Sequence, residues 1–273
     1  MTNETFNDTK EPFTFSDIKL FSEGKNPPKN EDAVGYNENS LVLSDGATDK
    51  SGQNFEGRSG GELASELVTD VCLRSQANGV ELVAEVTEAL GELYKRINPA
   101  ALEDSAFRFA ATMVVARIVG DELVMTQVGD SSFRINGTDV YTNNKVVDDL
   151  TANARKRYVE ATGDVNGSRD FIMPLLKTQH LYQNNPDLAL GYGVIDGMSV
   201  PEKFIKSYTF PVDSVQSIEL VSDGYYSAFP SEVDPASYEA LHSYIEEVDP
   251  NKCGAYASTK QSDDRTVLIA NLT

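Results

Sequence analysis

Four aspartates stand where short apolar runs end or begin. Ser40-Leu41-Val42-Leu43 stops at Ser44-Asp45-Gly46, and Ser217 to Val221 stops at Ser222-Asp223-Gly224. Leu123 to Val128 is followed by Gly129-Asp130-Ser131, and Asp263 opens the run that ends at Ala270. Apolar runs of this length bounded by turn residues read as buried strands, so each acid sits at the end of a rigid element. Carboxylates brought together repel one another and raise each other's pKa unless a cation compensates, so their convergence would call for a hard divalent ion. A set of oxygen donors selects Mg²⁺ or Mn²⁺ over zinc, and a shared aspartate can hold two ions ~3.5–4 Å apart for an in-line displacement at phosphorus. Asp-Gly is equally a common turn dipeptide, and spacing alone does not bring positions 45, 130, 223 and 263 together.

The elements that would carry these acids can be read from periodicity. Leu63, Leu67, Val68 and Val71 follow helical spacing, and a second stripe of Leu82, Val86, Leu90, Leu93 and Ile97 runs until Asn98-Pro99 stops it. Thr112 to Ile118, Leu123 to Val128 and Ser132 to Ile135 are β-rich runs joined by turn dipeptides, which predicts an antiparallel meander. Residues 140–200 predict one helix around Ala152 to Ala161 and then a loop-rich stretch, the pattern of a flap or insertion. Strands at Lys203 to Phe210 and Ser217 to Val221, a helix from about Pro235 to Glu247 and a closing strand complete the order. The expected organisation is a polar tail over residues 1–12 and a single α+β domain over 13–273.

Composition narrows the function. The chain has 273 residues, with 23 Lys+Arg against 43 Asp+Glu for a net charge of −20. Such a charge repels nucleic acid and anionic lipid, so no nucleic acid and no membrane partner is expected. No apolar stretch reaches the ~18 residues of a membrane span, and the acidic N-terminus is not a secretory signal. Cys72 and Cys253 form neither a C-x-x-C pair nor a zinc pattern, which places the expected protein in the cytoplasm, as a monomer.

Six short motifs occur in a telling order: Asn30-Glu31-Asp32-Ala33, Leu43-Ser44-Asp45-Gly46, Gly60-Gly61-Glu62-Leu63-Ala64-Ser65, Gly129-Asp130-Ser131, Val221-Ser222-Asp223-Gly224 and Asp263-Asp264-Arg265-Thr266-Val267. Each is weak alone. As an ordered set spanning roughly residues 15–272 they resemble the type 2C, metal-dependent (PPM) protein serine/threonine phosphatases, in the form of a bacterial-like member. The resemblance implies a four-layer α-β-β-α sandwich, in which two central antiparallel β-sheets are flanked by helices and a binuclear Mn²⁺ or Mg²⁺ site lies at one end. It implies that Asp45 bridges both ions, that Gly46 ligates through its carbonyl, and that Asp223 and Asp263 are further direct ligands. Glu31 and Asp32 match acids that hold metal-bound waters, and Asp130 matches an acid that helps hold a third ion with Asp223. Asp264 falls where the family has asparagine. The implied reaction is hydrolysis of phosphoserine or phosphothreonine on a phosphorylated protein by a water shared between two ions, with Asp45, Asp223 and Asp263 at its centre.

The phosphate-gripping half departs from the family. Where relatives carry an arginine that holds the substrate phosphate, this chain has Pro27, and Lys25, Lys29 and Arg58 are the candidate replacements. Ala47 stands where eukaryotic members have a histidine, and Asp49 could assist. Arg155-Lys156-Arg157 is a basic island expected on an exposed helix face, and His180 and His242 are expected as surface or packing residues. Two alternatives stay open: a catalytically weak regulatory or binding module, and a phosphatase of a small phosphorylated metabolite.

Overall fold

The computed structural model of the chain describes residues 13–47, 50 and 52–273. Strands β1 (Phe15–Glu23), β2 (Asp32–Tyr36) and β3 (Ser40–Ala47) precede helices α1 (Gly60–Arg74) and α2 (Gly79–Ile97) and the single turn α3 (Ala100–Glu103). Next come β4 (Ala110–Ala111), β5 (Met113–Val119), β6 (Glu122–Val128), β7 (Ser132–Ile135) and β8 (Asp139–Tyr141), then helices α4 (Val146–Thr162) and α5 (Ser168–Lys177). Strands β9 (Lys206–Pro211) and β10 (Ser217–Val221), helix α6 (Tyr238–Val248) and strand β11 (Arg265–Leu272) close the chain. The strands form two antiparallel sheets, ordered β1-β11-β10-β7-β8 and β2-β3-β5-β6-β9, with β4 paired to β3 in the second.

The period-2 alternation of the strands builds two apolar layers at once. Leu41 and Leu43 of β3, Val114 and Ala116 of β5, and Leu123 and Met125 of β6 face Phe133, Ile135, Ile218, Leu220, Leu268 and Ala270 of the other sheet. Their neighbours Val42, Met113 and Val115 point the opposite way, onto Ala64, Val68 and Cys72 of α1 and Leu82, Val86 and Leu90 of α2. Each buried leucine or valine contributes about 1.5–3 kcal/mol. On the far side, Tyr238 of α6 packs with Val221, Tyr225 and Val267. The predicted four-layer sandwich is therefore the observed one. The second helical stripe departs at its end: Tyr94 is fully buried and Ile97 is exposed, because the Tyr94 hydroxyl donates to the Phe109 carbonyl at the base of the layer.

Three local expectations are corrected. The runs from Thr112 to Ile135 do not form one meander: β5 pairs with β6, but β7 pairs with β10 in the other sheet. Gly129, at φ +88°, turns the chain across the sandwich there. Ser44-Asp45-Gly46 is not a turn, since β3 continues through it to pair Gly46 with Ala111 and Ala47 with Ala110. Residues 140–200 hold two helices rather than one. Helix α4 starts at Val146 and ends on left-handed Gly163, and α5 carries Pro174 inside it, so breaker residues that read as loop mark the cap of one helix and sit within the next.

The basic island is likewise not an exposed face. Arg155 is buried, its Nη1 donating to the carbonyls of Lys252 (3.0 Å) and Ser258 (2.9 Å) and its Nε to Ser168 Oγ (3.0 Å). Lys156 Nζ donates to the Gly254 carbonyl at 2.8 Å. These two side chains brace α4 against the segment that leads into β11; only Arg157 of the three is exposed.

Candidate metal and phosphate site

Close backbone packing brings the acids to one end of the sandwich. Asp45 lies in register opposite Asp32 across the β2–β3 pair, and its amide and carbonyl bond to Thr112 Oγ1 (3.1 Å) and Thr112 N (2.8 Å). Gly46 donates its N–H to the Glu31 carbonyl at 3.0 Å; a Cβ there would lie 2.4 Å from the Gly61 carbonyl oxygen and 2.6 Å from that of Glu31. Only glycine lets β3, α1 and the start of β2 approach so closely. Gly224 has the same role on the other sheet, where an added Cβ would meet the Asp264 carbonyl. That contact sets Asp223, past β10, beside Asp263, before β11.

Asp45, Gly46, Asp130, Asp223 and Asp263 all line one cavity of about 520 Å³. Asp32 lies behind it, with Oδ2 accepting from Ser222 Oγ at 2.8 Å and Oδ1 buried without a hydrogen-bond partner. Glu31 is buried at the helix end of the site: Ser59 Oγ, the N-cap of α1, donates to its Oε1, and Lys25 Nζ to its Oε2 at 2.9 Å. Neither Glu31 nor Asp32 lines the cavity; both stand behind its wall.

The electrostatics are those of crowded acid. Burial, with the charges of Asp223 and Asp32 adding to it, holds Asp45 well above the usual carboxylate range. Burial also pushes Asp32 up to about 7, with Asp223 and Asp264 adding to it. For Asp130, burial outweighs the nearby Lys145 and raises it to about 6. For Asp263 it outweighs Lys260 and reaches the same value. Asp223 goes the other way: burial would raise it, but the Lys260 ammonium, a hydrogen bond from the Asp45 carboxyl and the charges of Lys145 and Lys25 carry it below its ordinary value.

Among the described residues, no three His, Cys, Asp or Glu side chains are already gathered around a point that would hold a metal ion. A cation nevertheless stands at the cluster: Lys260 Nζ contacts Asp263, and Asp223, Asp263 and Asp45 together hold its ammonium above its ordinary range despite burial. The donor set is all oxygen, an ammonium already balances part of its charge, and Asp32 Oδ1 is buried without a hydrogen-bond partner. These residues fit a hard divalent cation.

The three basic candidates for phosphate are not brought to the cavity wall. Lys25 Nζ bonds Asp264 Oδ2 (2.7 Å) as well as Glu31, and its amide bonds Asp264 Oδ1 (2.8 Å), so it pins the loop before β2 to the start of β11. Arg58 pairs with Glu62 (2.9 Å) and Glu66 (2.5 Å) on α1. Lys29 is exposed and reaches only the Gly57 carbonyl, at 3.4 Å. Asp49 lies outside the described residues. Instead, Lys50, Lys145, Arg169 and Lys260 line the cavity, none of them singled out by the sequence reading. Only Lys260, three residues before Asp263, carried a positional signal. Both histidines border the cavity, His242 packed edge-on to the Tyr225 ring and His180 Nδ1 2.9 Å from Ser105 Oγ.

Comparison with known proteins bears on the fold and the family. No curated protein matches the chain. Among solved structures, the catalytic domain of the serine/threonine protein phosphatase PstP in complex with two manganese ions is 17% identical over 96% of this chain and 99% of its own, at a TM-score of 0.52. The Mycobacterium tuberculosis serine/threonine phosphatase PstP/Ppp is 16% identical over 94% and 98%, with a TM-score of 0.52. A bacterial serine phosphatase is 19% identical over 93% and 97%, with a TM-score of 0.50. At these identities the likeness is one of fold. The protein phosphatase 2C family profile matches residues 25–253, well over half of the chain, and on that match the chain belongs to the protein phosphatase 2C family.

Proposed function

We propose that the chain hydrolyses phosphoserine and phosphothreonine esters on proteins, using two Mn²⁺ or Mg²⁺ ions and, at Asp130, a third. The observation that carries this reading is the convergence of Asp45, Asp130, Asp223 and Asp263 in one cavity, where burial and mutual repulsion already demand a positive partner. Asp45, the Gly46 carbonyl, Asp223 and Asp263 would hold the ions, and Glu31 and Asp32 would orient waters around them. Bound divalent ions would supply Lewis acidity, which lowers the pKa of water toward neutrality and offsets charge on the phosphoryl oxygens.

The chain's own residues set the stage for that chemistry. Asp45, which burial and its acidic neighbours hold well above the usual carboxylate range, would have to release its proton to bind a divalent cation, so loading would be coupled to proton release. Ser222 holds the Asp32 carboxylate from the other sheet, and Thr112 fixes the Asp45 backbone, which limits how far the two acids can relax. Net reaction breaks the phosphorus–oxygen ester bond, adds water oxygen to phosphorus and returns a proton to the seryl or threonyl oxygen. The two manganese ions named for the PstP complex support the proposed ion count. Mn²⁺-dependent hydrolysis of p-nitrophenyl phosphate and of a phosphothreonine peptide tests the reading, with Asp45→Asn and Asp223→Asn expected to lose at least about a hundredfold in rate. Wild-type rates no higher than those of the two variants would overturn it.

A further inference from the structure

Between the end of α6 and the start of β11 the chain runs from Asp249 to Asp264 without helix or strand, longer than the ~12–15 residues beyond which structureless loops become uncommon inside a domain. The part that leads into Asp263 is cavity wall: residues 257–263 line the cavity without interruption. A stretch with no ladder has to satisfy its backbone polar groups by other means. Here the amides of Cys253 (3.0 Å), Gly254 (2.8 Å) and Tyr256 (3.0 Å) donate to the Asp249 carboxylate.

The carbonyls are taken by cations of α4 and α5. Arg155 Nη1 bridges those of Lys252 and Ser258, Lys156 Nζ reaches that of Gly254, and Arg169 Nη1 reaches that of Thr259. The Ser258 amide also donates to the Lys252 carbonyl at 3.0 Å, so Arg155 clasps a loop that is already closed on itself. Downstream, the Lys25 amide and ammonium hold the Asp264 carboxylate. Asp263 is therefore delivered between two fixed points, Thr259 and Asp264, with residues 260–262 as the slack. Arg155 is 2% exposed and its hydrogen bonds all go to neutral acceptors. Burying a charge in that way is costly; what the arrangement supplies is a fixed place for the carbonyls.

We propose that Arg155 and Lys156 are positioning residues for the cation site: through the carbonyls at 252, 254 and 258 they set the path by which the chain delivers Asp263, and with it the affinity for the ion that Asp263 holds. The inference rests on the proposed reading of Asp263 as a ligand of Mn²⁺ or Mg²⁺. It also joins two parts of the cavity wall, because α4 itself lines the cavity at Asp148, Asp149 and Ala152. Whatever tightens Asp263 around a cation then steadies α4, and whatever seats against α4 steadies Asp263.

Calorimetric Mn²⁺ titration of the full chain, run well below the Tm of every variant, tests this with Arg155→Lys, Lys156→Met and a matched control. The control is Arg117→Met. Arg117 is likewise fully buried and donates to two carbonyls, those of Cys72 and Ala77, but it pairs with Ser40 at the opposite end of β3 from Asp45. Groups that orient a metal ligand are worth about ten- to a hundredfold in affinity, and these act one step further out, so each of the two test variants is expected to weaken Mn²⁺ binding by about tenfold. Arg117→Met should lower Tm and leave Mn²⁺ affinity within about twofold of wild type. Should Arg155→Lys fail to fold, the half-buried Lys156 decides through Lys156→Met. Affinities within about twofold of wild type in the test variants would overturn the assignment. An equal loss in Arg117→Met would overturn it too, by tracing the effect to general destabilisation. A wild type that binds no Mn²⁺ would remove the metal reading and this inference with it, whereas Mn²⁺ bound equally by wild type and variants removes the inference alone.

Discussion

Lys260 offers a direct measure of how strongly this site wants positive charge. Its ammonium touches Asp263, with side-chain exposures of 27% and 15%, and lies in the field of Asp45 and Asp223. Any divalent ion that engages Asp263 must compete with it. Two unit charges at 4 Å interact by about 4 kcal/mol at an effective dielectric of 20. The ammonium can swing toward water when displaced, so most of that is recovered, and a partly buried pair of this kind is worth about 1.5 kcal/mol net. Replacing Lys260 by glutamine keeps the length and removes the charge, so the Mn²⁺ dissociation constant should fall about tenfold. Calorimetric titration at fixed pH and ionic strength reads this directly, with exposed Lys95→Gln as the control for net charge. An affinity unchanged within twofold, or weakened, would refute the competition and show that Lys260 does not share ground with the ions.

Two further outcomes follow from the same electrostatics. Lys25→Met leaves Asp264, whose side chain is 3% exposed, with backbone donors alone; it should cost about 2–4 kcal/mol and lower Tm by roughly 5–10 °C. Asp264→Asn added to it should recover at least half of that shift in a thermal melt, and a double variant no better than the single one would sink the pairing. The pH dependence has a definite sign. Asp32, Asp130 and Asp263 hold their protons to about 7, 6 and 6 when folded. Unfolded aspartate titrates near ~3.9, so the folded state binds more protons between these limits and stability falls as pH rises from about 4 to about 7. With a chelator present, Tm should therefore drop across that window, and Mn²⁺ should flatten the drop. A metal-free Tm that is level or rises over the same range would contradict the clustering.

Much of this was legible in the sequence because it depends on local pattern. The alternation in Leu41, Val42 and Leu43 named a buried strand, and the spacing of Leu63, Leu67, Val68 and Val71 named α1. What escaped was set by distant partners. Strand β7 reads like a third meander strand, and only the pairing of Phe133 with Leu220 places it in the other sheet. Arg155 reads as a surface cation because its acceptors are carbonyls nearly a hundred residues away. Lys25 seemed available for phosphate because Asp264, which claims it, lies 239 positions along the chain. The acids of the site were visible because they punctuate strands; the cations were hidden because loops and helices deliver them.

The seam between the sheets gives the site a property that no single side chain has. Asp32 and Asp45 belong to one sheet, while Asp223 and Asp263 flank strands of the other, with Ser222 bonding Asp32 across the gap. The separation of the two acid pairs is therefore a thickness, fixed by how Leu43, Val114, Leu220 and Leu268 fill the interior. Packed interiors resist compression. The apolar layer acts as a calibrated spacer, so the charge spacing that a cation meets at the rim is written in hydrocarbon some residues deeper.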